Sequence, residues 1–238
     1  MEEKIKENGL SGTALKRLAC LSMLLDHIGA SCIYGGLFPD GLMPPRWYWL
    51  YRILRWAGRL AFPIYCFLLV EGFLHTRNVK KYMGRMLVFA LVSELPFDWA
   101  FYRIPFYWGH QSVYFTLLLG LLGMACLRHF SGSDGGRTLL GTALALGCAL
   151  IAEALQTDYG AVGVGLILVL YMVRSSRKLQ CLWGALLVCY ELPAPLAFVP
   201  VWFYNGQRGR CARWEQWAYY LFYPVHLLVL GCVTNLIL

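Results

Sequence analysis

The sequence predicts an all-α fold, a polytopic integral membrane helical bundle. Three observations carry that prediction. Hydrophobic residues make up 59% of the chain and charged residues 14%, where a soluble globular chain carries about a quarter charged. Apolar runs approaching the length needed to cross hydrocarbon, about 20 residues per helix, recur throughout the 238 residues. The loops between them alternate between basic and poorly basic, as in a chain threaded back and forth through a bilayer.

A first span is expected over 14–33, followed by a Gly/Pro-rich loop to Trp47. A second, over 48–74, is longer than a bilayer needs and so tilts or starts at the interface. Further spans are expected over 82–99, 113–126, 139–155 and 162–173. Basic residues cluster before the first span (Lys4, Lys6, Lys16, Arg17), after the second (Arg77, Lys80, Lys81, Arg85), after the fourth (Arg128, Arg137) and after the sixth (Arg174, Arg177, Lys178). This places the N-terminus in the cytoplasm. The region 182–205 breaks the pattern, because one continuous helix there would put Arg208, Arg210 and Arg213 outside. The prolines of "ELPAPLAF" remove backbone donors and clash with the preceding turn, so a short re-entrant or broken pair is expected. With a last span over 217–238, the expectation is about nine membrane segments in a single domain, 1–238, multi-pass in the plasma (inner) membrane.

The formal net charge of +8 is read as loop anchors that set orientation, with no nucleic-acid partner. Nine cysteines without a CxxC pair suggest neither a disulfide framework nor a metal site. The N-terminal "MEEKIKENGL" mixes acids and bases, and the helix after it carries Asp26 and His27, so a cleaved signal peptide is not expected.

An ionisable side chain inside a membrane helix is costly, so each one marks a site or a partner. Lys16 and His27 are eleven residues apart, about three turns and roughly 16 Å of rise, and share a helix face. Lysine at the inner interface and histidine deeper would anchor a phosphate-bearing ligand and meet its reactive end. The plainer alternative is a histidine satisfied by a neighbour's hydroxyl or carbonyl. Asp26 faces another way and is expected to pair with a cation on a neighbouring helix. Arg52, Arg55 and Arg59 form a stripe at i, i+3 and i+7, with Asp26, Glu71 and Glu94 as candidate counter-ions. Fully paired, the stripe is structural; with charge to spare, it grips an anion; its outer end alternatively snorkels.

Glu71 and His75 are i, i+4 neighbours able to share a proton, with Arg77 beyond them; solvation at the interface is the alternative for His75. Glu94, Asp98, His110 and Gln111 are expected on the external side, His110 and Gln111 bordering a cavity above His27 or simply solvated. In "YYLFYPVHLLVL", Tyr223 and His226 lie beside Pro224, and His226 alternatively satisfies carbonyls that the proline leaves without a donor.

Together these stretches resemble the TraX family of membrane proteins, whose founding activity is N-acetylation of conjugative pilin. The resembling segments are "LSMLLDHIGA", "GRLAFPIYCFLLVEGFLHTRNVKKYMGRMLVFALVSELPFDWAFY", "GHQSVYFTLLLGLL", "DYGAVGV", "FYNGQRG" and "YYLFYPVHLL", and they cover nearly the whole chain. TraX proteins resemble in turn the acyltransferase type 3 superfamily, which carries acetyl groups from cytoplasmic acetyl-CoA across the membrane. That family has a basic residue and a catalytic histidine with ten residues between them in its first span, matched by Lys16 and His27. It also has two arginines with three residues between them, matched by Arg55 and Arg59.

The resemblance implies an acetyl-CoA-dependent acyltransferase. His27 would act as general base with Asp26 in support. Lys16, Arg52, Arg55 and Arg59, with Glu71, His75 and Arg77, would lie on the donor side. Glu94, Asp98, His110, Gln111, Tyr223 and His226 would lie on the acceptor side. The acceptor implied first is a peptide N-terminus and second a glycan. A proton-coupled transporter would also bury His, Asp, Glu and Arg, but the inverted repeats expected of one are not visible. A structural assembly protein would leave the arginine stripe unexplained.

Overall fold

A computed structural model describes residues 9–132 and 134–236. Lys4, Lys6 and the last two residues of the expected final span lie outside the described residues. The described residues are helical with short connections.

Helix α1, Gly12–His27, starts at Ser11, whose hydroxyl accepts from the Ala14 amide at 3.2 Å. It continues as a π-helical segment, Ile28–Leu37, four residues beyond the expected end. Its small residues Gly29, Ala30 and Ser31 admit the wider winding, and Gly29 lets α2 approach, with the Leu54 Cβ only 3.2 Å from where its own Cβ would stand. Helix α2, Pro45–Gly58, opens with proline at its first position, where the missing amide is no loss. After a turn at Arg59 and Leu60 it continues as α3, Ala61–His75, a 31-residue run longer than a bilayer, as expected.

Next come α4, Val79–Phe101; α5, Val113–His129; α6, Gly135–Ala154; α7, Gly160–Met172; and α8, Arg177–Leu187. The region expected to break does so. After α8 the chain passes a cis Leu192–Pro193 bond, a 3₁₀ turn at Ala194–Ala197 and the short α9, Phe198–Trp202. Helix α10, Arg213–Leu236, completes the described chain.

Four helical runs are long and apolar enough to cross a membrane: Gly12–Leu37, Pro45–His75, Gly135–Ala154 and Trp214–Leu236. Val113–His129 and Gly160–Met172 are shorter apolar helices, and α4 carries Arg85, Glu94 and Asp98 within its length. Helix α6 buries only a narrow strip, Gly141, Ala145, Cys148 and Ala152, and leaves Leu139, Leu146 and Leu150 exposed. An apolar outer face of that kind is stable against lipid and not against water. The chain is a helical membrane protein.

The chain divides into two compact units interleaved in sequence. The first takes in residues up to Tyr65, Leu95–Phe106, and the chain from Val188 on; the second comprises Cys66–Glu94 and Tyr107–Leu187. In the first, α1 packs on α2, and α10 lies against α1 and the π segment. Ser31 Oγ donates to the Ala100 carbonyl at 2.8 Å and bonds Thr234 Oγ1 at 2.8 Å, while Asn235 Nδ2 donates to the Trp99 carbonyl at 2.8 Å. In the second, α5, α6 and α7 pack on one another. Gly120 and Gly123 on α5 leave room for Ile167 and Leu168 of α7, the small-residue contact by which membrane helices approach closely.

Gly58 closes α2 where a Cβ would collide with the Asp26 side chain. Gly58→Ala is expected to cost about 1–3 kcal/mol, the usual penalty for overpacking, read as a lower melting temperature in detergent. Gly84→Ala, on an exposed face of α4 with nothing within 4 Å, is expected to melt at or slightly above wild type.

Candidate functional site

His27 is the last α-helical residue of α1, at the point where the winding widens. Its ring is partly buried and faces α10 within the first unit. Nδ1 of His27 lies 2.7 Å from Nε2 of His226. The ring planes differ by only 4° and the centroids are 4.9 Å apart. That spacing equals one hydrogen bond plus two ring radii, so the imidazoles meet edge to edge in a common plane. Phe101 and Tyr223 enclose His27 edge-on at 5.4 and 5.9 Å. His226 is buried, and its Nδ1 donates to the Phe222 carbonyl at 2.6 Å. Pro224 takes the donor from the carbonyl of Tyr220, four residues before it, so the carbonyl His226 binds is a different one from that the proline leaves short. The plain alternative for His27, a neighbouring hydroxyl or carbonyl, gives way to a second histidine.

Lys16 and His27 do share a face, and α10 lies along it. The Lys16 ammonium is 5.8 Å from the Tyr219 ring centroid, and Tyr219, Tyr223 and His226 follow one another at helical spacing. Asp26 points elsewhere, as expected: its Oδ2 is 2.5 Å from Arg55 Nη1, with side chains 15% and 23% exposed.

The arginine stripe meets one expected counter-ion, Asp26, and one that was not foreseen. Arg59 pairs with Glu191 at 2.7 Å, an acid from the broken region that was not among the candidate counter-ions. Of those candidates, Asp26 pairs with the stripe through Arg55. The Glu71 carboxylate lies 3.8 Å from Arg177, and Glu94 accepts from the Ser112 amide at 2.8 Å, each within the second unit. Arg52 is exposed and lies over the Trp56 ring at 5.2 Å. Two of the three guanidiniums are thus bound to carboxylates.

The start of α1 holds an arrangement that sequence reasoning missed. The strap "FYNGQRG", 203–209, runs against it: Leu10 N donates to Phe203 O, Gly12 N to Gln207 O and Thr13 N to Arg208 O, all at 2.8–2.9 Å. The helix thereby satisfies amides that would otherwise lack partners. Gly206 and Gly209 take φ of 77° and 79°, which the strap's turns require. Arg208 therefore sits at the N-terminal end of α1, as the broken path through 182–205 demands, and its charge is close enough to interact with that of Lys16. Beside them Arg17 pairs with Glu215 at 2.8 Å.

The remaining expected residues are dispersed. Asp98 is buried in the first unit. In the second unit, His75 Nδ1 donates to the Glu71 backbone carbonyl at 2.8 Å, a bond the sequence reading did not include. Arg77 is exposed. His110 Nε2 is 3.9 Å from the Asp158 carboxylate. Gln111 donates its backbone N–H to the Gln156 carbonyl at 3.0 Å and its carbonyl accepts from Asp158 N at 2.8 Å. Two of the short resembling segments, "GHQSVYFTLLLGLL" and "DYGAVGV", are therefore stitched together at their starts, and Thr116 Oγ1 also donates to the Asp158 carbonyl. Glu94, His110 and Gln111 belong to the second unit, whereas Asp98, Tyr223 and His226 share the first with His27. Among the described residues no group of three His, Cys, Asp or Glu side chains is placed to hold a metal.

Residues 11–234 match the family described as TraX protein. The chain is 32% identical to a probable fimbrial assembly protein FimC, serogroup H1, of Dichelobacter nodosus, over 92% of this chain and 94% of that protein. No solved structure matches. The chain belongs to the TraX family.

Proposed function

We propose that this chain is a membrane-embedded acetyltransferase that takes an acetyl group from acetyl-CoA on the cytoplasmic side and transfers it to an amine or hydroxyl, with His27 as general base. The observation that carries the reading is the arrangement on one face of α1. A cation whose ammonium faces an aromatic ring, Lys16, stands three turns before a partly buried imidazole, and α10 spans both. Family membership over nearly the full chain supports it.

In the transfer, the acceptor nitrogen or oxygen bonds to the acetyl carbon as the carbon–sulfur bond breaks. His27 takes the acceptor's proton and returns it to the departing sulfur. General-base help of this kind contributes about two to four orders of magnitude. Lys16 would meet the donor's phosphates as a point charge. Arg208, held beside it by the strap, adds a second positive charge whose repulsion from Lys16 an anion would relieve. Arg55 and Arg59, each bound to an acid, hold α1, α2 and the 188–191 region in register. The fimbrial assembly role of the relative points to a pilus-type subunit as acceptor, a peptide N-terminus first and a glycan second. The basic loops orient the N-terminus to the cytoplasm.

His27→Ala is expected to insert normally and to lose about 100-fold or more of its transfer rate from labelled acetyl-CoA to a peptide amine in nanodiscs. Full activity in that variant would remove the catalytic assignment.

Acetyl-CoA is expected to raise the melting temperature of purified protein. Lys16→Ala should weaken that response about ten- to a hundredfold in apparent Kd, the range for a lost charge-assisted contact, with an unchanged melting temperature for the free protein. Arg55→Ala should behave oppositely: stability lower by about 2–4 kcal/mol because the Asp26–Arg55 ion pair is broken, partly restored by Asp26→Asn, with the acetyl-CoA response kept.

A further inference from the structure

The two imidazoles and the Phe222 carbonyl form a chain in which each proton has one place to be. A carbonyl oxygen only accepts, so the His226 Nδ1 that lies 2.6 Å from it carries a hydrogen. A neutral His226 then has a bare Nε2. The His27 Nδ1, 2.7 Å from it, must donate. A neutral imidazole has one N–H, so Nε2 of His27 is left with its lone pair. No described residue is bonded to that nitrogen.

From this we infer that His226 is a positioning residue that fixes the tautomer of His27 and makes Nε2 of His27 the basic nitrogen. The inference rests on the acetyltransferase reading for its use, not for its geometry. It matters because a histidine side chain in water favours the other neutral tautomer, with hydrogen on Nε2, which would present a donor where a proton has to arrive. Which nitrogen is basic is set by the bond the other makes. The device is held rigid: Phe222 stacks on His226 at 4.7 Å and 20°, and Tyr223 closes edge-on over both imidazoles at 5.9 and 5.8 Å. When a proton reaches Nε2 of His27, the Nδ1–H···Nε2 bond shares the new charge with His226, whose own Nδ1–H remains on the carbonyl.

The test is nitrogen-15 NMR of histidine-labelled protein in nanodiscs at neutral pH, with the His27 signals assigned by their loss in His27→Gln. Wild type is expected to show Nδ1 protonated and Nε2 bare at His27. His226→Phe removes the acceptor, and His27 is expected to revert to Nε2–H, with kcat down about 100-fold and the acetyl-CoA KM unchanged. In His226→Gln the carboxamide oxygen accepts from His27 and the NH₂ donates to Phe222. That variant is expected to keep the tautomer and to recover kcat to within about tenfold of wild type.

Protonated Nε2 with bare Nδ1 in wild-type His27, or wild-type kcat in His226→Phe, overturns the inference. If His226→Phe does not fold, the wild-type spectrum and His226→Gln decide. The spectra need no acetyl-CoA. A wrong tautomer therefore sinks this inference alone, and a correct tautomer in a protein with no transfer activity sinks only the acetyltransferase reading.

Discussion

A charge or a hydrogen-bonding group surrounded by apolar side chains and lipid has to find its partner inside the chain, and this constraint decides which helices meet. Leaving such a group unpaired costs several kcal/mol, a large share of what holds a domain together. Asp26 on α1 draws Arg55 of α2, and Arg59 draws Glu191 from the far side of the sequence. His27 draws His226 across 199 residues, and Ser31 draws both Thr234 and the carbonyl of Ala100. Apolar contact alone would allow helices in lipid to slide and rotate, because hydrocarbon is as good a neighbour as leucine. The polar pairs remove that freedom.

Two backbone features then set where His27 stands along its helix. At the start of α1 the strap over 203–209 takes up the amides of Gly12 and Thr13, which pins the helix N-terminus to the chain entering α10. At its end the winding widens into the π segment, and Gly29 brings α2 against it. Widened turns are uncommon and gather at functional positions. His27 lies at the junction, so its ring direction is fixed from both ends of α1.

Much of the fold was legible because apolar runs and basic loops are properties of neighbouring residues. The runs over 82–99, 113–126, 139–155 and 162–173 all correspond to helices, with ends shifted by only a few residues, since caps and glycines blur the limit of an apolar run. The break after 182 was legible from its prolines. Asp26 facing a cation followed from its place one residue before His27. What stayed hidden was which helix packs on which. Nothing in the period of α1 says that α10, and not α2, lies over Lys16 and His27, and the partner of His27 is 199 positions away. Glu191 was passed over because it stands among prolines in a region read only for its topology. The strap "FYNGQRG" carries polar residues without helical period, so its capping of α1 shows only in three dimensions.

The division of charge on the first unit bears on how an anionic donor would be held. A guanidinium bound to a carboxylate 2.5 or 2.7 Å away has spent most of its field on that neighbour, and an incoming phosphate would have to compete with a partner already in place. Lys16 instead lies over an aromatic face and near the like charge of Arg208, a state that an anion improves. In the proposed enzyme the arginine pairs therefore maintain the distance between the cationic end of α1 and its imidazole end, and the binding falls to Lys16 and Arg208. In that reading the separation, about 16 Å along the helix, would itself act as a specificity device, since a donor would have to be long enough to touch both ends at once. A short acyl phosphate would reach one of them only, whereas a thioester carried on an extended, phosphate-bearing arm would reach both.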